Sequence, residues 1–405
     1  MPGALEGIRI LEWAEWGQVP MATSMLGDMG AEVVKIEHPV RGDGARGHTR
    51  FWGVPTNLPG GSSLWYETCN RNKRGITLNL ADTRGRDIVY RLIKNFDVFA
   101  SSFSPKLAKK FGLDYESLRK HNPGIISSFG SAFGRKGPAA DLQGFDWAGL
   151  GRAGLFYHVM GPDMKYTNLI DGLADQAGAV MVSQGILAAL VARNRTGEGQ
   201  EVESSLLGSI VNLQRILSLE FSFFTGHEPP KLERKKTKSP LQNIYQCQDG
   251  RWLAFMMMQS DKFWTDFCKA VGLQELVDSP KFQDRHVRSD NAEELTAILD
   301  RTFAAKPYPE WEKVLSNAGM LFSPIISQPE VAVDPQSLEN EYVIEYEHPR
   351  LGKFKSGGFP IWFSKTPCSV KSAAPEFGQH TEEVLVEMAG YSWEELSGLK
   401  DAGIL

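Results

Sequence analysis

A carboxylate at the mouth of an apolar helix is the group in this sequence best placed to do chemistry. The stretch Ile170-Asp-Gly-Leu-Ala-Asp175-Gln-Ala-Gly178 leads into a run where Val180, Met181, Ile186, Leu187, Leu190 and Val191 recur at spacings of three and four. That is the stripe of a helix packed on a core. Asp175 then stands at or near the N-cap, where backbone N–H groups and the helix dipole favour an ionised carboxylate. Its plain role there is to cap the helix, and the rest of the sequence decides whether it does more.

Groups suited to an anionic ligand lie elsewhere along the chain. Asn70, Arg71, Asn72, Lys73 and Arg74 put two amides and three cations in five residues just ahead of a strand. Lys106, Lys109 and Lys110 follow Phe103-Ser104-Pro105, and Gly130, Gly134 and Gly137-Pro138 punctuate the loop after Phe129. Gathered at one sheet edge, such loops hold a phosphate-bearing cofactor; taken singly, each is a solvated loop. Competing chemistries lack their residues. There is no Gly-x-Ser-x-Gly elbow, no phosphate-binding P-loop, and no His-x-x-His or His-Glu-x-x-His pair for a metal. The four cysteines (Cys69, Cys247, Cys268, Cys368) are far apart, which argues against a zinc site or disulfide framework and fits a reducing, cytoplasmic setting.

The elements that must position these groups alternate between strand and helix. Residues 8–13 read as a buried strand, a helix begins at Pro20 with Met21, Ala22, Met25, Leu26 and Met29 on one face, and residues 33–36 form the next strand. Further strands are expected at 76–80, 98–100 and 125–129, with a helix through Ile88, Val89, Leu92 and Ile93. The pattern is that of an α/β protein with a doubly wound, Rossmann-like parallel sheet, whose ligands bind at the carboxyl ends of the strands. A nicotinamide or flavin site does not fit. The first turn, Ala14-Glu-Trp-Gly-Gln-Val-Pro20, has one glycine and a bulky Trp where a dinucleotide needs close backbone approach.

A smaller α+β domain is expected over 225–329, with a hairpin around Asp249-Gly250 and helices at 262–271, 292–303 and 309–318; residues 1–224 and 330–405 make the large domain. The basic run Lys231-Leu-Glu-Arg-Lys-Lys-Thr-Lys238 is either a solvated linker or a loop near a phosphate-bearing ligand. The tail adds strands near 342–346 and 354–363, two helices and a capping box at Ser392 and Glu395. In all, 405 residues with a net charge of −5 give no reason to expect nucleic acid or an anionic membrane as partner. Ser183 and Gln184 interrupt the best apolar run short of the roughly 18 residues of a spanning helix. The N-terminus lacks the basic and apolar regions of a signal peptide.

Taken in order, these stretches resemble the class III CoA-transferases, the CaiB/BaiF family, over almost the whole chain. Leu5–Glu12 and Gly30–Glu37 resemble its opening βαβ; Asn70–Arg74 with Leu78-Asn-Leu80 its next marker; Asn122-Pro123, Gly134–Pro138 and Gly144-Phe-Asp146 its central loop. Ala174-Asp175 with Gly185-Ile-Leu187, then Thr196–Gln200, resemble the nucleophile helix and the turn behind it, and His380-Thr381 with Gly390-Tyr391 the closing helices. The resemblance implies CoA transfer from an acyl-CoA thioester to a free carboxylic acid, through an aspartyl–acyl anhydride and an aspartyl-CoA thioester on Asp175. It implies CoA as co-substrate, with no metal and no nicotinamide. It implies contacts to CoA from Gly17, Gln18, Arg41, Asn72, Lys73, Ser102, Phe103, Lys110, Gln143 and Asp146, the lysines meeting phosphates and Phe103 packing on the adenine.

It further implies an interlocked homodimer, with the C-terminal segment returning to the N-terminal domain and the site lying between the large domain of one chain and the small domain of the other. Two departures stand out. His38 and Pro39 follow Glu37 where the family often has a basic residue, so that Arg41 is the next cation, and no glycine-rich loop appears between Glu228 and Gln248. An α-methylacyl-CoA racemase is the rival within the superfamily, but it needs proton-transfer bases, and Phe145 stands where racemases have His. A CoA-binding protein without catalysis, with Asp175 only a cap, is the rival of another class. The wording around Asp141–Trp147 and Arg152–Gly154 is similar to transferases of aryl-substituted or 2-hydroxy acids, which points to a bulky monocarboxylate acceptor.

Overall fold

Two apolar faces, one on each side of a parallel sheet, organise the larger of two compact units. The computed structural model describes all residues except 162, 164, 166–170 and 231–232. One unit is Met1–Pro229 with Glu341–Leu405; the other is Pro230–Asn340. The expected boundaries at 224/225 and 329/330 would cut the helices Glu220–Thr225 and Gln328–Val331, whereas the observed divisions fall after each has ended.

The large unit alternates β1 (Arg9–Trp13), α1 (Gln18–Asp28), β2 (Glu32–Glu37), α2 (Leu64–Asn70), β3 (Lys73–Thr77), α3 (Thr83–Leu92), β4 (Val98–Ser101), α4 (Pro105–Phe111) and β5 (Ile126–Ser131). After α5 (Asp146–Arg152) and the long α6 (Leu173–Thr196), β6 (Glu201–Ser205) completes the sheet and α7 (Leu206–Leu213) follows. The strand order is β3-β2-β1-β4-β5-β6 with every pairing parallel. Neighbouring strand residues face opposite ways. Leu11, Val34 and Phe99 therefore pack with Ile88, Val89 and Leu92 of α3. Ile10, Val33 and Val98 pack on the other face with Val19, Ala22 and Leu26 of α1 and Ala179, Val182 and Ile186 of α6. The sheet is buried on both faces, as parallel sheets are.

Two local expectations are corrected here. The third strand starts at Lys73 rather than 76, because Lys73 and Arg74 pair with Val33 and Val34; the two cations are strand residues and not a loop ahead of it. Ser183 does not interrupt the apolar helix, because its hydroxyl donates to Ala179 O within the helix. By length and composition α6, at 24 residues, is apolar enough to cross a membrane, but Ala179, Val182, Ile186 and Ala189 fill the core of this unit.

The smaller unit holds a three-stranded antiparallel sheet of β7 (Ile244–Gln246), β8 (Trp252–Phe255) and β9 (Phe322–Ile325), with β8 central. The helices α8 (Ser260–Val271), α9 (Ala292–Phe303) and α10 (Tyr308–Asn317) pack on it around Tyr245, Phe255, Phe267, Phe303 and Trp311. In the basic run, Lys231 and Leu232 lie outside the described residues, while Arg234 is paired with Asp300 and Lys236 with Glu233. The returning tail of the large unit contributes a hairpin of β10 (Val343–His348) and β11 (Gly352–Gly357). It ends in α11 (Thr381–Ala389) and α12 (Trp393–Asp401), the latter opened by the expected capping box of Ser392 and Glu395. Thr381 Oγ1 accepts from Thr77 N at 3.0 Å and His380 N donates to Gly75 O, which fastens the tail to β3.

Candidate active site

The order of strands reverses between β1 and β4, so the crevice for a ligand lies beyond their carboxyl ends. Two loops start there, 14–17 after β1 and 102–104 after β4. Ser102 Oγ accepts from Glu15 N at 3.0 Å and joins them.

Asp175 meets the first loop. A Cβ on Gly17 would fall 2.6 Å from Asp175 Oδ2, so only glycine lets this turn and the carboxylate touch. The Gln18 backbone N–H lies close enough to the Asp175 carboxylate to favour its ionised form. The Gln18 side chain threads between two more glycines: a Cβ on Gly178 would fall 2.7 Å from its Nε2, and one on Gly130 2.6 Å from its Oε1. Its buried Nε2 has no hydrogen-bond partner among the described residues. A buried donor left unpaired costs about 1–3 kcal/mol, and such groups mark places where a ligand supplies the acceptor.

Asp175 is not the cap it resembles in the sequence. It is the third residue of α6, whose N-cap is Gly172 in the left-handed region. The capping acceptor comes from another element: Asp146 Oδ1 accepts from Ala174 N at 2.6 Å and Asp175 N at 3.1 Å. Asp146 is buried and its Oδ1 is occupied in this way, which gives it a positioning role, while its Oδ2 has no hydrogen-bond partner among the described residues. Burial, followed by the charges of Asp146 and Asp171, lifts the Asp175 carboxyl from 3.8 to about 7, against the pull of the Gln18 N–H. Burial and the neighbouring carboxylates thus push Asp175 toward its protonated form, against the expectation of a carboxylate simply favoured as the ion by the helix N-terminus.

Beneath the 14–20 turn lies an ion cluster with fully buried side chains. Lys35 Nζ bonds Glu12 Oε1 and Asp43 Oδ2, each at 2.8 Å, and Lys73 Nζ bonds Glu12 Oε2 at 2.7 Å. The cluster grips the turn at three backbone points. Lys35 donates to Ala14 O and Lys73 to Pro20 O, both at 2.7 Å, and Asp43 Oδ1 accepts from Trp16 N at 3.1 Å. Trp16 has φ 69°, a left-handed conformation that costs a non-glycine residue of order 1–3 kcal/mol and that these contacts offset. Burial would raise the Glu12 carboxyl, but Lys35 and Lys73 outweigh it and hold it near 2.

The assignment of Lys73 to a CoA phosphate is therefore corrected, because its ammonium has no exposed surface and three internal partners, Asn70 Oδ1 being the third. Asn72 is corrected as well. Its Nδ2 donates to Asp28 Oδ1 and Ser369 O, and its Oδ1 accepts from Lys371 and Ser372 N, which ties down the returning tail.

The remaining expected contacts lie nearer solvent. Arg41 is exposed, with Glu15 3.9 Å away. Phe103 is half-buried against Trp13, ring centroids 4.3 Å apart. Lys110 is exposed in the last turn of α4, and Gln143 is exposed in the loop before α5.

Residues given no binding role from the sequence complete the site: Glu12, Lys35, Asp43, Asp171 and a set of rings. Trp16 meets His48 and Phe145 edge to face, both at 5.9 Å, and His48 meets Trp65 at 5.7 Å. Trp65 Cη2 lies 3.9 Å from where a Cβ on Gly172 would stand, and Trp147 Nε1 donates to Asp171 Oδ1 at 2.9 Å. The signal for the ions was legible, since Glu12 and Lys35 are charges set within otherwise apolar strands. The rings carried no periodic signal.

Comparison with known proteins bears on this geometry. The sequence profile described as CoA-transferase family III matches residues 5–381. The chain is 29% identical over 404 residues to (R)-2-hydroxy-4-methylpentanoate CoA-transferase of Clostridioides difficile, covering 99% of each. It is 32% identical over 405 residues to succinyl-CoA:glutarate CoA-transferase of Homo sapiens, covering 99% of this chain and 90% of that protein. A CAIB/BAIF family protein from Brucella suis, 25% identical, superposes with a TM-score of 0.80 over 96% of this chain and 100% of its own.

Proposed function

The chain belongs to CoA-transferase family III and is an acyl-CoA:carboxylate CoA-transferase, and from that premise we propose that Asp175 carries both halves of the transfer covalently. One observation carries the proposal: Asp146 caps α6, so the Asp175 carboxylate is left over from capping and faces Gly17 and the Gln18 N–H.

An Asp175 oxygen attacks the thioester carbonyl, the C–S bond breaks, and a mixed anhydride forms as CoA thiolate departs. The thiolate attacks the aspartyl carbonyl, the C–O bond breaks, the first acid leaves, and an aspartyl-CoA thioester remains. The incoming carboxylate reverses both steps and leaves as its CoA ester, and Asp175 is restored as a carboxylate. Each attack builds an oxyanion, and the Gln18 backbone N–H, with the unpaired Gln18 amide nearby, supplies preorganised donors. Because burial raises the Asp175 carboxyl to about 7, kcat/KM for the acyl-CoA climbs with pH through that value and levels off above it.

For CoA itself, exposed Lys110 and Arg41 suit the phosphates, and the half-buried Phe103 ring suits the adenine. A homodimer is part of the proposal: Leu213, Ile216, Phe223 and Phe224 are exposed, the last at 88%, apolar side chains that a partner chain would cover. The four free thiols fit a cytosolic setting. Racemisation is less well supported, because Phe145 cannot shuttle a proton.

The test is trapping. The protein is incubated with an acyl-CoA, then with hydroxylamine or borohydride, and the Asp175 peptide is read by mass spectrometry. A hydroxamate or reduced aspartyl product at Asp175, absent from Asp175→Ala, is expected; an unlabelled wild type with a broad acyl-CoA panel refutes the covalent route.

A further inference from the structure

We propose that the smaller unit carries an anion site of its own, a cavity between the start of α8 and residues 285–289 that binds a phosphate group. Nothing in it depends on the chemistry of Asp175, and it gives one end of the basic run a ligand.

The cavity, of about 250 Å³, is walled by stretches within 238–242, 257–260 and 285–295. Four of its lining residues are basic, Lys238, Arg285, His286 and Arg288, and none is an aspartate or glutamate. The 580 Å³ cavity of the larger unit, by contrast, sets Arg9 and Arg74 among Glu6, Glu32 and Glu383. A concave wall with one sign of charge concentrates counter-ions.

Arg288 fixes the wall. It is 2% exposed, and its Nη1 donates to Phe282 O at 2.7 Å and its Nη2 to Ser260 Oγ at 3.1 Å. Its guanidinium also pairs with Asp261 and lies over the Trp264 ring, 4.6 Å from the centroid. The Nε–H has no acceptor among the described residues, a buried donor that a ligand oxygen would satisfy. Beside it, α8 opens on Gln259, whose side chain makes no capping bond. The first N–H groups of this 12-residue helix are thus uncapped where Ser260 lines the cavity. The Ser260 hydroxyl accepts from Arg288 and keeps its own proton to donate. A helix start with a buried arginine donor beside it favours an anion.

Charge and size narrow the anion to phosphate. Ion pairs in this unit engage Arg234, Lys236, Arg251, Lys281 and Arg288, which leaves Lys238 and Arg285 without one among the described residues. The nearby carboxylates are taken: Asp261 by Arg288, Asp284 Oδ1 by the His286 and Val287 N–H groups, and Glu294 by Lys281. Arg285 Nε donates to His286 Nε2 at 3.3 Å, so that neutral ring keeps its N–H at Nδ1. Two unpaired cations match a dianion, and guanidinium and hydroxyl donors suit its tetrahedral oxygens. Drug-sized ligands fill roughly 300–1,000 Å³. This cavity is smaller and takes a phosphate on a short stem, not a whole nucleotide.

The test titrates sodium phosphate into the full-length protein by calorimetry, with ionic strength held fixed and sodium chloride as the control. Saturable binding with a Kd of about 1 mM or tighter is expected, and none for chloride. Lys238 and Arg285 are both exposed, so the double variant Lys238→Gln, Arg285→Gln should fold with an unchanged thermal midpoint. It is expected to weaken phosphate binding by about tenfold or more, the product of two exposed charge contacts. No saturable heat with phosphate overturns the proposal, as does an affinity unmoved in the double variant. Competition identifies where the phosphate comes from, using CoA and dephospho-CoA, which lacks the 3′-phosphate. If inorganic phosphate and the double variant each weaken CoA binding and leave dephospho-CoA alone, the site holds the 3′-phosphate of CoA. If CoA is indifferent to both while phosphate still binds, the site holds free phosphate or another small phosphate ester.

Discussion

Replacing Asp175 by Asn should abolish transfer and make the protein more stable, with the gain growing as pH rises. The native carboxyl titrates near 7, lifted by burial and by Asp146 and Asp171, while an unfolded Asp titrates near 3.9. Between those values the unfolded chain has released a proton that the native chain still holds. Native stability is therefore lost as pH climbs through this window, and all of the loss is in place above pH 7. Integrated, the ionised carboxylate costs the native state about 4 kcal/mol at pH 8 and about 1.5 kcal/mol at pH 5. Asn keeps the shape and an acceptor for the Gln18 N–H but has no charge to desolvate. The wild-type-to-Asn difference in unfolding free energy should thus widen by about 2–3 kcal/mol between pH 5 and pH 8, a rise of several degrees in relative thermal midpoint. Taking the difference cancels the titrating groups that do not interact with Asp175, leaving only Asp146 and Asp171 coupled to it. Urea unfolding of both proteins at the two pH values, beside the transfer assay, reads it directly. A gap that does not change with pH, or an Asn variant less stable at pH 8, refutes the account of a carboxylate held destabilised for attack.

Three further outcomes follow from the site. Lys73→Met strands part of the charge on Glu12, so urea unfolding should show a loss of about 3–5 kcal/mol while KM for acyl-CoA in the folded fraction stays within twofold; a large KM change at unchanged stability would restore the phosphate role. Gly17→Ala puts a Cβ against Oδ2, Cγ and Cβ of Asp175, so the whole side chain must shift and kcat should fall about 100-fold, some 2.7 kcal/mol of barrier; an unchanged kcat refutes the contact. Lys110→Ala should raise KM for CoA esters about two- to fivefold, with kcat unchanged and a weaker salt dependence, because an exposed ion pair is worth under about 1 kcal/mol.

What the sequence reveals and what it hides divide along one physical line. Strands and helices of the large unit announce themselves by apolar period, and β1, β2, β4 and α6 lie within a few residues of where Ile10, Val33, Val98 and Val182 require them. Period says nothing of which polar groups meet across the fold. Asp175 reads as a cap because a carboxylate before an apolar run usually is one, yet Asp146, 29 positions earlier, does the capping. Lys73 reads as a ligand for phosphate because it sits among cations, yet register with Val33 places it in the interior opposite Glu12.

Both misreadings share a cause. Local sequence gives a side chain's chemistry but not its partner, and a buried charge is defined by its partner. The recurring residue types along the opening stretches therefore mark the scaffold of the turn that faces Asp175 as much as contacts to CoA. Glu12, Lys35, Asp43 and Lys73 hold Ala14, Trp16 and Pro20 by their backbone atoms, and so fix where the Gln18 N–H points. An ion cluster is a poor source of stability once its desolvation is counted. Its use here is geometric: charges locked without solvent do not drift, and on the proposed covalent route a donor that does not drift would need no reorganisation when the tetrahedral charge appears.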